Sequence, residues 1–234
     1  MVNNKVCIVI GAVDAICASA AKEMAKNGYA TAIVDSDIDT AKRIADEICT
    51  FGGLAKAYEG SASNKNSLAS VRSQISAELG KCNVIVNCID PNSDENVNKI
   101  LTFAEAFIRD MEGEVGCSIV NVCPMGCMLE AETVALTRKM AYKMADGGIR
   151  VNGILYGAMM SRGNREELYN EDNTPTEAAE KVLSSIPMGR FGKPEEIAGA
   201  LKYLTDPIAA SYTTGTVICI DGGMSAGVSE GVSK

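Results

Sequence analysis

Short runs of apolar, mostly β-branched residues alternate along the chain with segments that are typical of helices. We predict strands from these runs at residues 5–10, 30–34, 54–58, 83–87, 118–122, 150–154 and 217–220. Because strands that alternate with helices form βαβ units, the pattern predicts a parallel sheet with helices on both faces. No apolar run approaches the ~20 residues that a membrane span needs.

Glycine and proline mark the ends of two predicted helices. The first covers about residues 13–26 and ends at a glycine cap, Gly28. A later one opens at Pro194, with two glutamates behind the proline, and ends before Pro207. We expect one domain over residues 1–234, of which 226–234 form a loose tail.

Composition narrows the class of protein. The chain has 234 residues, 47% hydrophobic and 22% charged, which suits one large α/β domain. The net charge is −8 without a basic cluster, so nucleic acid and membrane surfaces are poor candidate partners. Nine cysteines are scattered, and the amino terminus runs into a strand without a charged leader. These features indicate a cytoplasmic protein with free thiols.

Three segments in the last third form a specific pattern: IRVN at 149–152, PMGRFGKPEEIA at 187–198 and TGTVICIDGG at 214–223. With them the chain resembles the short-chain dehydrogenase/reductases over nearly its whole length, and 3-oxoacyl-carrier-protein reductases most closely. The resemblance implies a Rossmann-like, doubly wound parallel sheet of about seven strands in the order 3-2-1-4-5-6-7, with helices on both faces. It also implies a nicotinamide cofactor at the carboxyl ends of the strands.

The turn that would bind the cofactor phosphates departs from the family pattern TGxxxGxG. In the aligned residues 10–17 only Gly11 survives of three glycines, while Cys17 replaces the last. Asp14 brings a carboxylate near the pyrophosphate position, and two unit charges about 4 Å apart repel by about 4 kcal/mol at an effective dielectric of about 20. Ile16 lies in the same turn and is a candidate contact for the cofactor.

The other positions that would contact the cofactor match the family pattern only in part. Asp35 ends the second strand, where the resemblance implies a carboxylate on the adenine ribose, which favours NAD over NADP. Ser61 stands at the place of an adenine-binding Asp, and the family's NNAG reads NCID from Asn87. There the bulky Ile89 and the charged Asp90 replace small residues, and we expect them to crowd a dinucleotide. We therefore expect no cofactor or weakly bound NAD(H), with NADP unlikely, and Gly11, Ile16, Asp35 and Asn87 as remaining contacts.

The catalytic positions that the resemblance implies are a Ser, a Tyr with Lys four residues later, and an Asn on an earlier helix. Asn98 matches the Asn, whereas Pro124 falls at the Ser and offers no hydroxyl. Gly126 and Glu130 fall at the Tyr and the Lys. Tyr156 replaces the proline after the sixth strand, where its hydroxyl could face the crevice. No catalytic set is intact, and Asn98 and Tyr156 are the remnant candidates.

Four cysteines fall at or beyond the predicted ends of the first, fourth and fifth strands. Cys17, Cys88, Cys123 and Cys127 could together hold a metal or act as redox thiols. No pair has CxxC spacing, the chain contains no His, and other cysteines occupy core-like positions. We expect no metal site and leave a thiol site open.

Two functions remain possible. The first is a degenerate short-chain dehydrogenase/reductase, without ordinary oxidoreductase activity, retained for assembly or regulation. The alternative is an NAD(H)-dependent oxidoreductase, or a cofactor-free lyase-like enzyme, that uses residues near Asn98 and Tyr156. The family resemblance also implies a homo-oligomer, or a hetero-oligomer with an active paralogue, through residues 194–204 and 216–223.

Overall fold

Seven parallel strands form one sheet at the centre of the structure. The computed structural model describes residues 5–11, 15–60, 65–89 and 97–227, and gives only the backbone for residues 65, 66 and 97–101. The strands are β1 (Val6–Ile10), β2 (Ala30–Asp35), β3 (Ala55–Glu59), β4 (Cys82–Cys88), β5 (Ser118–Pro124), β6 (Arg150–Tyr156) and β7 (Val217–Ile220). Their order is β3-β2-β1-β4-β5-β6-β7, which confirms the predicted fold class.

Helices connect the strands and cover both faces of the sheet. They are α1 (Ala15–Lys26), α2 (Ile38–Thr50), α3 (Lys65–Glu78), α4 (Val97–Met111), α5 (Glu130–Met144), α6 (Arg165–Leu168), α7 (Glu177–Ser184) and α8 (Ala198–Thr205). The helices α1, α2 and α8 contact one another on one face, and α3, α4 and α5 on the other. No described helix combines the length and hydropathy that crossing a bilayer requires.

Burial on both faces explains why the strands appear as continuous apolar runs. In β1 every residue is buried. Val6, Ile8 and Ile10 join the core beneath α3, α4 and α5, whereas Cys7 and Val9 join the core beneath α1, α2 and α8. Because neighbouring strand residues point to opposite faces, a strand between two layers needs apolar side chains at each position.

The largest differences from the predicted boundaries occur at the carboxyl ends of β5 and β6. Each strand runs two residues further than predicted, to Pro124 and to Tyr156, and these two residues are paired. Because proline lacks an N–H, the sequence predicts that the strand ends before it. At the last position of β5 the missing donor removes little from the hydrogen bonding of the sheet. The next amide, of Met125, donates to the Tyr156 carbonyl oxygen at 2.8 Å.

Two helix predictions need smaller corrections. The predicted first helix begins at residue 13, which lies outside the described residues, and the observed α1 starts at Ala15. The helix predicted to open at Pro194 starts as a 3-10 turn, Pro194–Ile197, before α8 continues to Thr205. Most of the predicted tail, residues 228–234, also lies outside the described residues.

The turn after β1 brings that strand against the end of β4. Gly11 has a φ of +78°, and its N–H donates to the Val34 carbonyl oxygen at 3.2 Å. A Cβ at this position would lie 2.6 Å from the Cys88 carbonyl oxygen. Glycine is therefore required here for two reasons, the positive φ and the close approach of the Cys88 carbonyl.

This double requirement predicts a large loss of stability for Gly11→Ala. Gly28→Ala is the matched control, because Gly28 has a φ of +84° but nothing within 4 Å of its added Cβ. We expect Gly28→Ala to lower the free energy of unfolding by about 1–2 kcal/mol, because alanine is strained in the left-handed backbone conformation. Gly11→Ala should cost about 1–3 kcal/mol more, since the added methyl also meets the Cys88 backbone. Urea unfolding measures both free energies, and equal losses would contradict the close approach.

Candidate functional site

The carboxyl ends of β1 and β4 border the candidate crevice, at the edge of the sheet where the chain changes faces. From β1 the chain leads to α1 on one face, and the next helix after β4 is α4 on the other. In parallel α/β sheets this switch point is the usual place for a ligand. The pairing of Ile10 with Asn87 brings the residues that follow both strands to one level.

Three of the four predicted cofactor contacts lie at this edge of the sheet. Gly11 directly follows β1, Asp35 ends β2, and Asn87 is the next-to-last residue of β4. Ile16 differs: it is 5% exposed and belongs to the core beneath α1, α2 and α8. We therefore regard Ile16 as a packing residue of α1. Asp14 and Ser61 lie outside the described residues.

The Asp35 side chain is held in place by its surroundings. It is 5% exposed, and its Oδ1 accepts hydrogen bonds from the Asp37 N–H at 2.8 Å and the Ser36 hydroxyl at 3.5 Å. Its carbonyl oxygen accepts from the Gly60 N–H at 3.0 Å. A carboxylate fixed in this way can receive the hydroxyls of a ligand without a large ordering cost.

Asn87 begins a buried polar chain that the sequence did not reveal. Its Nδ2 donates to Asn121 Oδ1 at 2.8 Å, and Asn121 Nδ2 donates to Thr137 Oγ1 at 2.9 Å. Asn87 Oδ1 is buried and has no hydrogen-bond partner among the described residues. An unpaired buried acceptor costs about 1–3 kcal/mol. Its donor must come from a bound molecule or from outside the described residues.

A disulfide joins Cys17 and Cys88 beside Gly11, with a Cα–Cα distance of 5.9 Å. It connects the first turn of α1 to the last residue of β4. The expectation that the chain has only free thiols is therefore wrong. The 71-residue separation conceals the pair in the sequence, whereas the β1–β4 pairing brings the two segments together.

Cys123 and Cys127 form a second, separate pair. Their sulfur atoms are 3.6 Å apart, and Cys123 belongs to a small cluster with Ile89 and Leu155. Cys88 instead packs against the core beneath α1, α2 and α8, so the two pairs occupy different clusters. In the described part of the chain no group of three side chains is arranged as a metal site. Burial raises the pKa of the Cys123 thiol to about 12, so it is uncharged at neutral pH.

The positions of the family's Tyr and Lys carry no catalytic pair. The Gly126 N–H donates to Glu130 Oε2 at 2.6 Å, and Glu130 is the first residue of α5. This bond satisfies one amide of the turn that leads into the helix. Asn98 lies in the first turn of α4, where its side chain is outside the described residues.

Tyr156 lies at the same edge of the sheet as Pro124, with which it pairs. It is half-buried, and it packs against the core beneath α1, α2 and α8. Tyr142, by contrast, is 89% exposed on α5. Tyr156 is thus the tyrosine that the fold brings to the end of the sheet beside the position of the family's Ser.

A cavity of about 410 Å³ adjoins the ends of β6 and β7, and sequence reasoning missed it. Ile220, which pairs with Tyr156, contributes to its wall. Its other lining residues include Met159, Met188, Arg190, Cys219 and Gly222. Both terminal nitrogens of Arg190 donate to the Glu196 carboxylate at 2.8 Å, which offsets the positive charge in the wall. Asp221 also lines the cavity, which therefore suits a small group with both apolar and polar parts.

The described residues fit a dinucleotide at this crevice. Gly11 is partly exposed in the turn after β1, Asp35 offers a fixed carboxylate, and Asn87 Oδ1 is a buried acceptor with no described donor. The predicted crowding by Ile89 is wrong, because that side chain is 6% exposed and packs with Cys123 and Leu155.

Two solved structures share the fold over nearly the full length. A candidate D-mannonate oxidoreductase from Haemophilus influenzae, with bound NAD, is 27% identical with a TM-score of 0.86, covering 97% of each chain. A candidate NAD(P)-dependent gluconate 5-dehydrogenase from Beutenbergia cavernae, with NADP at low occupancy, is 23% identical with a TM-score of 0.79, covering 97% of this chain and 98% of that one.

These structures contradict our expectation of no cofactor or weakly bound NAD(H), with NADP unlikely. Proteins of the same fold hold NAD and NADP, and this finding points to a nucleotide cofactor.

Sequence comparison gives the family. The model described as Enoyl-(Acyl carrier protein) reductase matches residues 115–225. An uncharacterized oxidoreductase of Thermotoga maritima is 30% identical, covering 95% of this chain and 98% of that protein. Support for the finer resemblance to 3-oxoacyl-carrier-protein reductases is only loose. The chain belongs to the short-chain dehydrogenase/reductase family.

Proposed function

We propose that the chain is an oxidoreductase that interconverts a secondary alcohol and a ketone with a nicotinamide adenine dinucleotide. The observation that carries the proposal is the crevice at the ends of β1, β2 and β4, where Gly11, Asp35 and Asn87 lie at one edge. The NAD-bound relative from Haemophilus influenzae and the oxidoreductase from Thermotoga maritima support it.

In this proposal the ends of different strands bind different parts of the dinucleotide. Asp35 accepts hydrogen bonds from the adenine ribose hydroxyls, since its carboxylate is already oriented by the Asp37 amide. The turn after Gly11 and the amino end of α1 would face the phosphates, because the N–H groups and the dipole at a helix amino end favour anions. The bound dinucleotide supplies or accepts the hydride.

Tyr156 is the candidate acid of the reaction. A tyrosine hydroxyl has an ordinary pKa of about 10, so it is protonated at neutral pH and can donate to a developing alkoxide. The cavity of about 410 Å³ beside Ile220 lies next to it and would hold the rest of the substrate. Asn98 at the start of α4 is the candidate for the proton relay. Pro124 supplies no hydroxyl, so we expect a slow enzyme.

A second candidate is a family member that binds a dinucleotide without turnover and is retained for assembly or regulation. The observation that favours it is the bond between the Gly126 N–H and Glu130, which occupies the positions of the family's Tyr and Lys. Binding accompanied by hydride transfer distinguishes the first candidate from the second.

Binding is tested by Asp35→Ala, with Asp39→Ala as its matched control. Asp39 is a nearby exposed carboxylate on α2 whose recorded partner is Lys42 at 3.8 Å. Loss of a charged acceptor for ligand hydroxyls costs about 1.5–3 kcal/mol. We therefore expect calorimetry on the reduced protein to show NADH affinity at least about tenfold weaker for Asp35→Ala and unchanged for Asp39→Ala. NADPH is measured in parallel, and failure of the reduced wild type to bind either dinucleotide would sink the proposal.

Catalysis is tested by Tyr156→Phe, with Tyr142→Phe as the control on the exposed face of α5. Reduction of a ketone panel is followed by NADH absorbance. Removal of the acid should lower kcat by about 100-fold or more while the affinity for NADH is retained. An unchanged kcat excludes Tyr156 as the acid, and turnover without any dinucleotide would favour the lyase-like alternative.

We also propose self-association through the face formed by α8 and β7. The sheet edge at β7 is uncovered: Ile218 and Ile220 are half-buried and Cys219 is exposed. Tyr203 on α8 is also exposed, at 40%. An unpaired edge with partly apolar residues is favourable for a two-fold contact. A stable interface should bury about 1,600 Å².

Light scattering with Ile218→Asp tests this surface. Val115→Asp is the control, because Val115 is 96% exposed in the loop before β5. We expect the wild type and the control to be at least dimeric at micromolar concentration, and Ile218→Asp to shift toward monomer. A monomeric wild type would contradict self-association, and co-purification of a related subunit would then point to a hetero-oligomer.

A further inference from the structure

Two free thiols meet at the turn that leads from β5 into α5. Cys123 is the next-to-last residue of β5, and Cys127 lies in the turn before Glu130 begins the helix. Their sulfur atoms are 3.6 Å apart. Because the sulfurs of a disulfide are about 2.05 Å apart, a bond between these two requires an approach of about 1.5 Å.

Hydrogen bonds hold the backbone of this turn in place. The Met125 N–H donates to the Tyr156 carbonyl oxygen at 2.8 Å, and the Gly126 N–H donates to Glu130 Oε2 at 2.6 Å. The Cys127 carbonyl oxygen accepts from the Glu130 N–H at 3.2 Å. The two cysteines are thus held near each other by the fold, and closing so short a ring costs little chain entropy.

The two sulfurs differ in access. Cys127 is half-buried between Gly126 and Met128, which are both exposed. Cys123 is fully buried. A dissolved small disulfide can therefore reach Cys127, whereas Cys123 can react only with a sulfur that is brought to it. Burial also raises the pKa of the Cys123 thiol to about 12, which keeps this thiol protonated until it reacts.

The exposed thiols elsewhere on the described surface lack this arrangement. Cys49 and Cys219 are both exposed. The recorded partner of Cys49 is the Ala55 carbonyl oxygen at 3.6 Å, not a second thiol. A small disulfide that reacts with Cys49 therefore leaves an adduct with no neighbouring thiol to displace it. At Cys127 the second thiol is already in contact.

We propose that Cys123 and Cys127 form a thiol–disulfide exchange site for low-molecular-weight disulfides. Cys127 is the attacking thiol, and Cys123 is the thiol that completes the exchange. The site lies apart from Gly11, Asp35 and Asn87, so it does not rest on the proposed oxidoreductase function.

The exchange has two steps. The Cys127 thiolate attacks one sulfur of the small disulfide, which forms a mixed disulfide and releases one small thiol. The Cys123 sulfur then gives up its proton, attacks the Cys127 sulfur and releases the second small thiol. The two protons of the protein thiols end on the two released thiols, so one disulfide is formed and one is reduced. Because Cys123 starts protonated, we expect the second step to be the slower one.

The test incubates the reduced full-length protein with oxidised glutathione, after dithiothreitol has been removed. Remaining thiols are blocked with N-ethylmaleimide, and cyanogen bromide then cleaves after the methionines, which separates residues 112–125 from residues 126–128. The first fragment carries Cys123 and the second carries Cys127, so mass spectrometry finds them joined only where a disulfide connects them. We expect glutathione to appear on Cys127 first, and the joined fragments to replace it and become the main product.

Three variants assign the roles. Cys123→Ser should give no joined fragments and should hold glutathione on Cys127 at an occupancy at least about tenfold above that of the wild type, because the displacing thiol is gone. Cys127→Ser, in the exposed turn, should leave Cys123 without glutathione. Cys49→Ser is the matched control, since it removes an exposed thiol at the end of α2 and should leave the joined product unchanged.

Three results would overturn the exchange site. The first is separate fragments in the wild type after incubation with oxidised glutathione, with glutathione still on Cys127. The second is joined fragments in Cys123→Ser, which would identify Cys117 as the partner, since it lies on the same fragment. The third is glutathione on Cys123 in Cys127→Ser, and this measurement tests the roles even if Cys123→Ser fails to fold.

Discussion

The parallel pairing of β1 with β4 determines the geometry of the site. It places Ile10 opposite Asn87, and so brings Gly11 against Cys88. The close approach needs a glycine with positive φ, and it also sets Cys17 within disulfide distance of Cys88. The candidate crevice, the buried acceptor of Asn87 and the Cys17–Cys88 disulfide all follow from this one pairing, since each lies at the ends of the two strands.

In the proposed function, binding and catalysis depend on different parts of the fold. The proposed binding residues Gly11, Asp35 and Asn87 lie at strand ends whose positions the sheet fixes, although two glycines of the family's turn are replaced. The catalytic elements of the family lie beyond β5 and at the start of α5, outside the regular ladder. There a short turn with the Gly126–Glu130 bond stands where a tyrosine and a lysine are usual. Loop segments tolerate such replacement more readily than strands do, which leaves Tyr156 on β6 as the candidate acid.

The fold could be predicted from the sequence, because strands buried on both faces give continuous apolar runs and the last third carries a specific family pattern. The extension of β5 to Pro124 could not, since it depends on pairing with β6 and not on local propensity. Nor could the chain from Asn87 through Asn121 to Thr137, whose members are distant in sequence.

The cofactor expectation failed for a related reason. It treated Ile89 as an obstruction, whereas Ile89, one residue beyond β4, is buried in a cluster with Cys123 and Leu155. The sequence of a motif does not show which way a side chain packs.

A crystal structure of the reduced protein with NAD is the most direct test of a dinucleotide crevice at the ends of β1 and β4. The account predicts the adenine ribose hydroxyls on the Asp35 carboxylate and the pyrophosphate at the turn between β1 and α1. NAD bound elsewhere, or an empty crevice at saturating NAD with the thiols reduced, would contradict it.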